Sequence, residues 1–204
     1  MDNDNFLLVV AVVAVAVSLI ATGFTYFSIA NLVSQISGFA TSTAQANLTV
    51  ESTAAINFTT NFISWGSGRV NPGSSSASLT TLGTNNVTGG NWTLTTAGGL
   101  RVENIGTINV SLNITVGKNA SNFIGGTNPA YELNITSAEA SSCLVSTFTL
   151  GSWYTANTTN NILNCGTFQF ISGADSIRID INLTVPETSL TGALTDTITA
   201  TASP

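Results

Sequence analysis

Residues 6–30 read FLLVVAVVAVAVSLIATGFTYFSIA, and 20 of these 25 are apolar, interrupted only by Ser18, Thr22, Gly23, Thr25 and Ser28. The run is longer than the roughly 18–20 residues that span a bilayer as a helix, and a soluble globular surface does not carry such a stretch exposed. Between Ile29 and Ala40 the apolar residues Ile29, Leu32, Val33, Ile36, Phe39 and Ala40 recur three or four apart, with Asn31, Ser34, Gln35 and Ser37 among them. This spacing predicts that the helix continues with a single apolar face. From about Phe6 to Gln45 it would run about 60 Å, twice the hydrocarbon thickness of a membrane. Six valines between Val9 and Val17 lower intrinsic helicity, so lipid or packing has to stabilise the first half.

Working outward, the nearest charges are Asp2 and Asp4 on one side and Glu51 on the other. A secretory signal peptide would begin basic and be shorter. A plain single-pass anchor fits the length, but the Lys or Arg that normally sets orientation is missing from both flanks. The whole chain of 204 residues is charge-poor, with four Lys plus Arg against ten Asp plus Glu and no His. Four scattered cations, Arg69, Arg101, Lys118 and Arg178, make no nucleic-acid footprint. Without His, acid–base catalysis and zinc, copper or iron binding lose their commonest side chain, and no cofactor motif is visible. Gly89-Gly90 and Gly98-Gly99 lack the Lys-Ser/Thr of a phosphate loop. Glu103, Glu132, Glu139, Asp175 and Asp180 show neither catalytic nor calcium-loop spacing, and Glu132 and Arg178 read as surface residues. The chain is therefore expected not to be an enzyme. Hydration falls to 32 Thr, 23 Ser and 22 Asn.

After Glu51 the apolar period becomes two. In TINVSLNITV, residues 107–116, Ile108, Val110, Leu112, Ile114 and Val116 alternate with Asn109, Ser111, Asn113 and Thr115. In SIRIDINLTV, residues 176–185, Ile177, Ile179, Ile181, Leu183 and Val185 are predicted inward, and Arg178, Asp180, Asn182 and Thr184 outward. Weaker strands are read in AINFTTNFI, ASLTTL, NWTLTT, GLRVEN, AYELNI, LVSTFTL, TFQFI and ALTDTITATA, separated by Gly, Asn and Pro clusters. With no second helix, this spacing predicts two packed antiparallel sheets, an Ig-like β-sandwich. The fold class is α+β: an apolar helical segment over residues 1–46 and a head over 47–204. Trp65, Trp92 and Trp153, each near a strand end or turn, are expected in core or rim packing, with sugar stacking the other reading.

Asn-x-Ser/Thr occurs at Asn47, Asn57, Asn86, Asn91, Asn109, Asn113, Asn119, Asn134, Asn157 and Asn182, against about six expected from composition. Asn109, Asn113, Asn134 and Asn182 alternate with apolar positions and are predicted to face solvent, where exported protein would carry N-linked glycans. The alternative is that Asn and Thr simply suit turns and strand surfaces. Cys143 and Cys165 are the only cysteines; in the cytosol they would be two buried thiols, and in an exported chain a disulfide.

A long N-terminal helix, apolar first and amphipathic later, joined to a Thr/Asn/Gly-rich β head, resembles a mature type IV pilin of the archaeal kind, the superfamily that includes archaellins. The resemblance spans the chain in architecture and is carried by pattern. It implies an extracellular, cell-surface filament of identical subunits serving adhesion or motility. Before assembly the helix would sit in the membrane, a prepilin peptidase would have removed a basic leader, and an assembly platform would extrude the subunit. Phe6, Leu7, Val10, Val13, Val17, Ile20, Phe24 and Phe27 would then form the filament core. One departure is Asn5, where many bacterial pilins have Glu, with Asp2 and Asp4 the nearby acids. The competing expectation is a membrane-anchored surface adhesin that does not polymerise.

Overall fold

The structure is a computed structural model that describes residues 3–36, 45, 48–84, 86–96, 98–159 and 163–204. The chain divides into two compact units, Met1–Thr49 and Val50–Pro204, a helix followed by an antiparallel β domain. Helix α1 covers Asn3–Ile36, starting before the predicted Phe6. The predicted continuation is helical through Ile36, and residues 37–44 lie outside the described residues. Within α1, Leu7–Ser28 is a 22-residue segment of mean hydropathy 2.7, none of it buried in the chain. At 1.5 Å per residue that segment is about 33 Å long, close to the hydrocarbon thickness of a bilayer. Two of its hydroxyls bond within the helix: Thr22 Oγ1 donates to Ser18 O at 2.7 Å and Thr25 Oγ1 to Ala21 O at 2.7 Å. Bonds of this kind let a polar side chain stand on a surface that water does not reach.

The head is built on one long strand. The alternation in SIRIDINLTV forms β9, Ser176–Pro186, the eleven-residue centre of a seven-stranded sheet. Along one edge β9 pairs antiparallel with β6, Ala130–Ser137, from Ala130↔Thr184 to Ser137↔Ile177, and β6 carries the short β7, Trp153–Thr155. The other edge is shared by two strands. β4, Leu100–Asn104, pairs with Ser176–Ile179, while β2, Ser76–Thr80, pairs with Asn182–Pro186. β1, Ile56–Thr60, extends the β4 branch, and β3, Val87–Thr88, the β2 branch.

At the fork, ladder pairing is replaced by one side chain. Thr81 N–H donates to Ile181 O at 3.0 Å, and Thr81 Oγ1 accepts from Ile181 N–H at 2.9 Å. The same hydroxyl donates to Asp180 Oδ1 at 2.7 Å. Arg178 adds Nη2 at 2.7 Å and Nε at 3.1 Å to that oxygen. A Cβ at Gly99 would collide with Ile179 O and stand 2.8 Å from Asp180 Oδ1, so only glycine lets the β4 branch leave the fork here. The prediction that Asp180 faces outward is therefore corrected: it is 0% exposed. Asn134, its cross-strand neighbour, is corrected likewise at 3% exposure, because Nδ2 donates to Gly151 O at 3.1 Å in the turn before β7. Glu132 and Arg178, read as plain surface residues, are half-buried and hydrogen-bonded to Asn182 and Asp180.

A three-stranded sheet completes the core in the order β10–β5–β8, where β5 is Val110–Val116, β8 is Leu163–Phe168 and β10 is Ile198–Ser203. Val102, Leu112, Leu133, Phe168 and Ile179 are all 0% exposed and come from both sheets, which fill one hydrophobic cluster. Two predicted strands are not strands. NWTLTT lies extended beside residues 64–65, with Thr93 N–H on Trp65 O and Thr95 N–H on Ser64 O. LVSTFTL runs along β8 with an isolated bridge at Ser146, next to the one at Cys143, and with Leu144 N–H on Thr167 O and Thr147 N–H on Asn164 O. Period-two alternation is present in both, but neither forms a continuous ladder with its neighbour. A one-turn helix α2, Ala120–Phe123, capped by Asn119, was not expected. Cys143 and Cys165 form a disulfide across 22 positions, tying the 143–146 segment to the edge of β8 away from β5. Closing a loop of this length stabilises the fold by roughly 3 kcal/mol.

Candidate functional site

Six of the predicted filament-core residues form one stripe along α1, and a second stripe not among those predicted runs beside it. Val10, Val13, Val17, Ile20, Phe24 and Phe27 alternate three and four apart, forming a bulky seam. One residue on, Ala11, Ala14, Ser18, Ala21, Thr25 and Ser28 keep the same spacing with small side chains. Such spacing is the heptad of left-handed helix packing, and small residues let a second backbone approach closely. Leu7 and the bulky seam are all exposed, with Val13 at 55% and Phe24 at 72%. Phe6 is helical, and its side chain is outside those described.

The sequons divide by position. Asn57 on β1, Asn91 beside the 64–69 segment, Asn109 in the β4–β5 turn and Asn157 after β7 are exposed. Asn86, Asn113, Asn119 and Asn182 are half-buried, Asn134 is buried, and Asn47 lies outside the described residues. Trp65, Trp92 and Trp153 are half-buried, Trp65 and Trp92 against the core.

Three of the acids named from the sequence, Glu103, Glu139 and Asp175, come from separate segments and influence one another, a neighbourhood that their spacing did not show. Asp175 N–H donates to Glu139 Oε2 at 3.1 Å. Burial, then a hydrogen bond and repulsion from Glu139, then Glu103, raise the Asp175 carboxyl above its ordinary value. Elsewhere, burial first and Asp196 second push the Tyr131 hydroxyl well above its usual range. Among the described residues no set of three or more His, Cys, Asp or Glu side chains is placed to hold a metal ion. No protein-family model, curated protein or solved structure matches this chain.

Proposed function

We propose that the chain is a structural subunit of an extracellular helical filament of the archaeal type IV pilin kind, assembled through α1 and carrying a glycosylated head. One observation carries the reading: Leu7–Ser28 is apolar on every face, uncharged and uncovered by its own chain, so it needs lipid or other copies around it. The bulky and small seams support the second surrounding, because a bulky stripe on one copy can lie in the small stripe of the next. In this reading the helix waits in the membrane, a prepilin peptidase and an assembly platform act on the subunit, and the helices move from lipid into a bundle. Many weak contacts then add along the fibre. The head is read as an Ig-like sandwich, supported by the core that both sheets share, with the forked edge of β9 as a departure. The role is non-enzymatic in this reading and uses no cofactor, metal or nucleic acid.

The second reading, a single-pass surface adhesin, is favoured by the match between Leu7–Ser28 and one bilayer. Electron microscopy of material sheared from the source cells separates the two. Fibres containing this chain are expected; the chain recovered only as a membrane-bound monomer would overturn the filament.

A further inference from the structure

Nine of the ten sequons lie among the described residues, and hydrogen bonds hold several of their side-chain amides in two opposite ways. At Asn91, Asn109 and Asn157 the carbonyl is held. Asn91 Oδ1 accepts from Arg69 N–H at 2.7 Å, Asn109 Oδ1 from Phe170 N–H at 3.3 Å, and Asn157 Oδ1 from Thr159 N–H at 2.9 Å. Backbone N–H groups can only donate, so Oδ1 must face them and Nδ2 points away. Asn57, on the edge strand β1, is exposed as well.

At three other sequons the nitrogen is the atom in use. Asn86 Nδ2 donates to Thr80 O at 2.9 Å and Gly83 O at 3.2 Å, occupying both hydrogens. Asn134 Nδ2 donates to Gly151 O at 3.1 Å from a 3% exposed side chain. Asn182 Nδ2 donates to Glu132 Oε2 at 2.9 Å, across the β9–β6 pair in which these two residues are partners. Carbonyls and carboxylates only accept, so each amide orientation is again chemically forced. N-glycosylation acts on that nitrogen. Nδ2 forms a C–N bond to the anomeric carbon of a phosphate-activated sugar donor, the C–O bond to the phosphate breaks, and one Nδ2 proton is lost. One N–H remains, and a sugar ring takes the other hydrogen's place.

We infer that Asn57, Asn91, Asn109 and Asn157 carry glycans, whereas Asn86, Asn134 and Asn182 stay bare and act as structural polar pairs. This rests on the glycoprotein part of the proposed function. In the bare set the Asn-x-Thr pattern is a by-product of strand alternation, with Asn and Thr on the same face two residues apart. At Asn119 and Asn113 the carbonyl is held too, Asn119 Oδ1 accepting from Asn122 N–H at 2.9 Å and Asn113 Oδ1 from Asn164 Nδ2 at 2.7 Å; both side chains are half-buried, and the division assigns neither.

Glycopeptide mass spectrometry of the full chain purified from its source cells tests it. Sugars on Asn57, Asn91, Asn109 and Asn157, with unmodified peptides at Asn86, Asn134 and Asn182, are expected. A sugar on any of the latter three overturns the division while leaving the glycoprotein reading intact. Bare asparagine at all ten overturns both. In full-length chain made without N-glycosylation and held in detergent, Asn134→Ala should lower the melting midpoint by about 3–6 °C and Asn157→Ala should not. Equal midpoints for the two variants would remove the structural role assigned to Asn134.

Discussion

Helix α1 and the β head use the same residue types, Val, Ile, Leu and Phe, and handle them oppositely. In the head, Val102, Leu112, Leu133 and Ile179 are wholly buried by other strands of the same chain. In α1 every residue from Leu7 to Ser28 is exposed. The difference lies in period. An apolar period of two leaves a polar face for water and an apolar face for a second sheet, so the head can close on itself. An apolar run with no polar face cannot be closed by one partner sheet and needs surroundings on all sides. The chain therefore has one unit whose stability is internal and one whose stability is borrowed.

The sharpest way to break this contrast is to remove the same kind of group from each unit. Ile179→Ala empties part of the head core and should cost about 2–5 kcal/mol, visible as a lower midpoint for loss of β structure in detergent. Val13→Ala should leave that midpoint unchanged, since Val13 is exposed and outside the head's core. A comparable loss from Val13→Ala would mean that α1 contributes to the head's stability.

The complementary test charges the helix. Val13→Lys places an ammonium at the middle of Leu7–Ser28, a cost of about 2.5–3.5 kcal/mol for membrane insertion. Membrane fractionation should show reduced insertion, and electron microscopy should show no fibres, while circular dichroism of the head stays unchanged. Fibres at the native level would sink the proposed role of the helix.

Legibility follows the same contrast. α1 is readable because its signal is contiguous, and β5 and β9 because five alternating apolar residues fix which side is inward. The burial of Asp180 was not readable. It depends on Thr81 and Gly99, residues on two other strands' connections that meet only because β2 and β4 share one edge of β9. Asn134 was misjudged for a similar reason, its cover coming from the turn at Gly151. Alternation states which face a residue takes and is silent on what lies over that face. The sequons suffered most from this, because one motif serves both as a sugar acceptor and as a cross-strand polar pair.

The smallest expected effect concerns the polar side of the head and depends on pH. The turn around Glu139 is fastened to the start of β9: Ser142 Oγ donates to Ser176 O, and Arg101 Nε donates to Ser176 Oγ at 2.9 Å. Asp175 sits beside this fastening, its carboxyl raised above the ordinary value of 3.8 by burial and then by Glu139 and Glu103. A carboxyl whose folded pKa exceeds its unfolded pKa binds its proton more tightly when folded. Its contribution to stability is thus fully present below about 3.8 and is lost as pH rises through the folded value, the reverse of a salt-bridged Asp. Asp175→Asn removes the charge and keeps a donor toward Glu139. Melting midpoints of variant and parent, measured side by side from pH 3 to 7, should coincide at the acid end and separate toward neutrality with the variant higher. The gap should be small, since surface charge pairs are screened by solvent. A parent that melts above the variant at neutral pH would show that the Asp175 carboxylate is stabilised by its surroundings. Asp175 would then join Asp180 as an acid held by favourable partners, and the contrast with the uncharged Leu7–Ser28 segment of α1 would be sharper still.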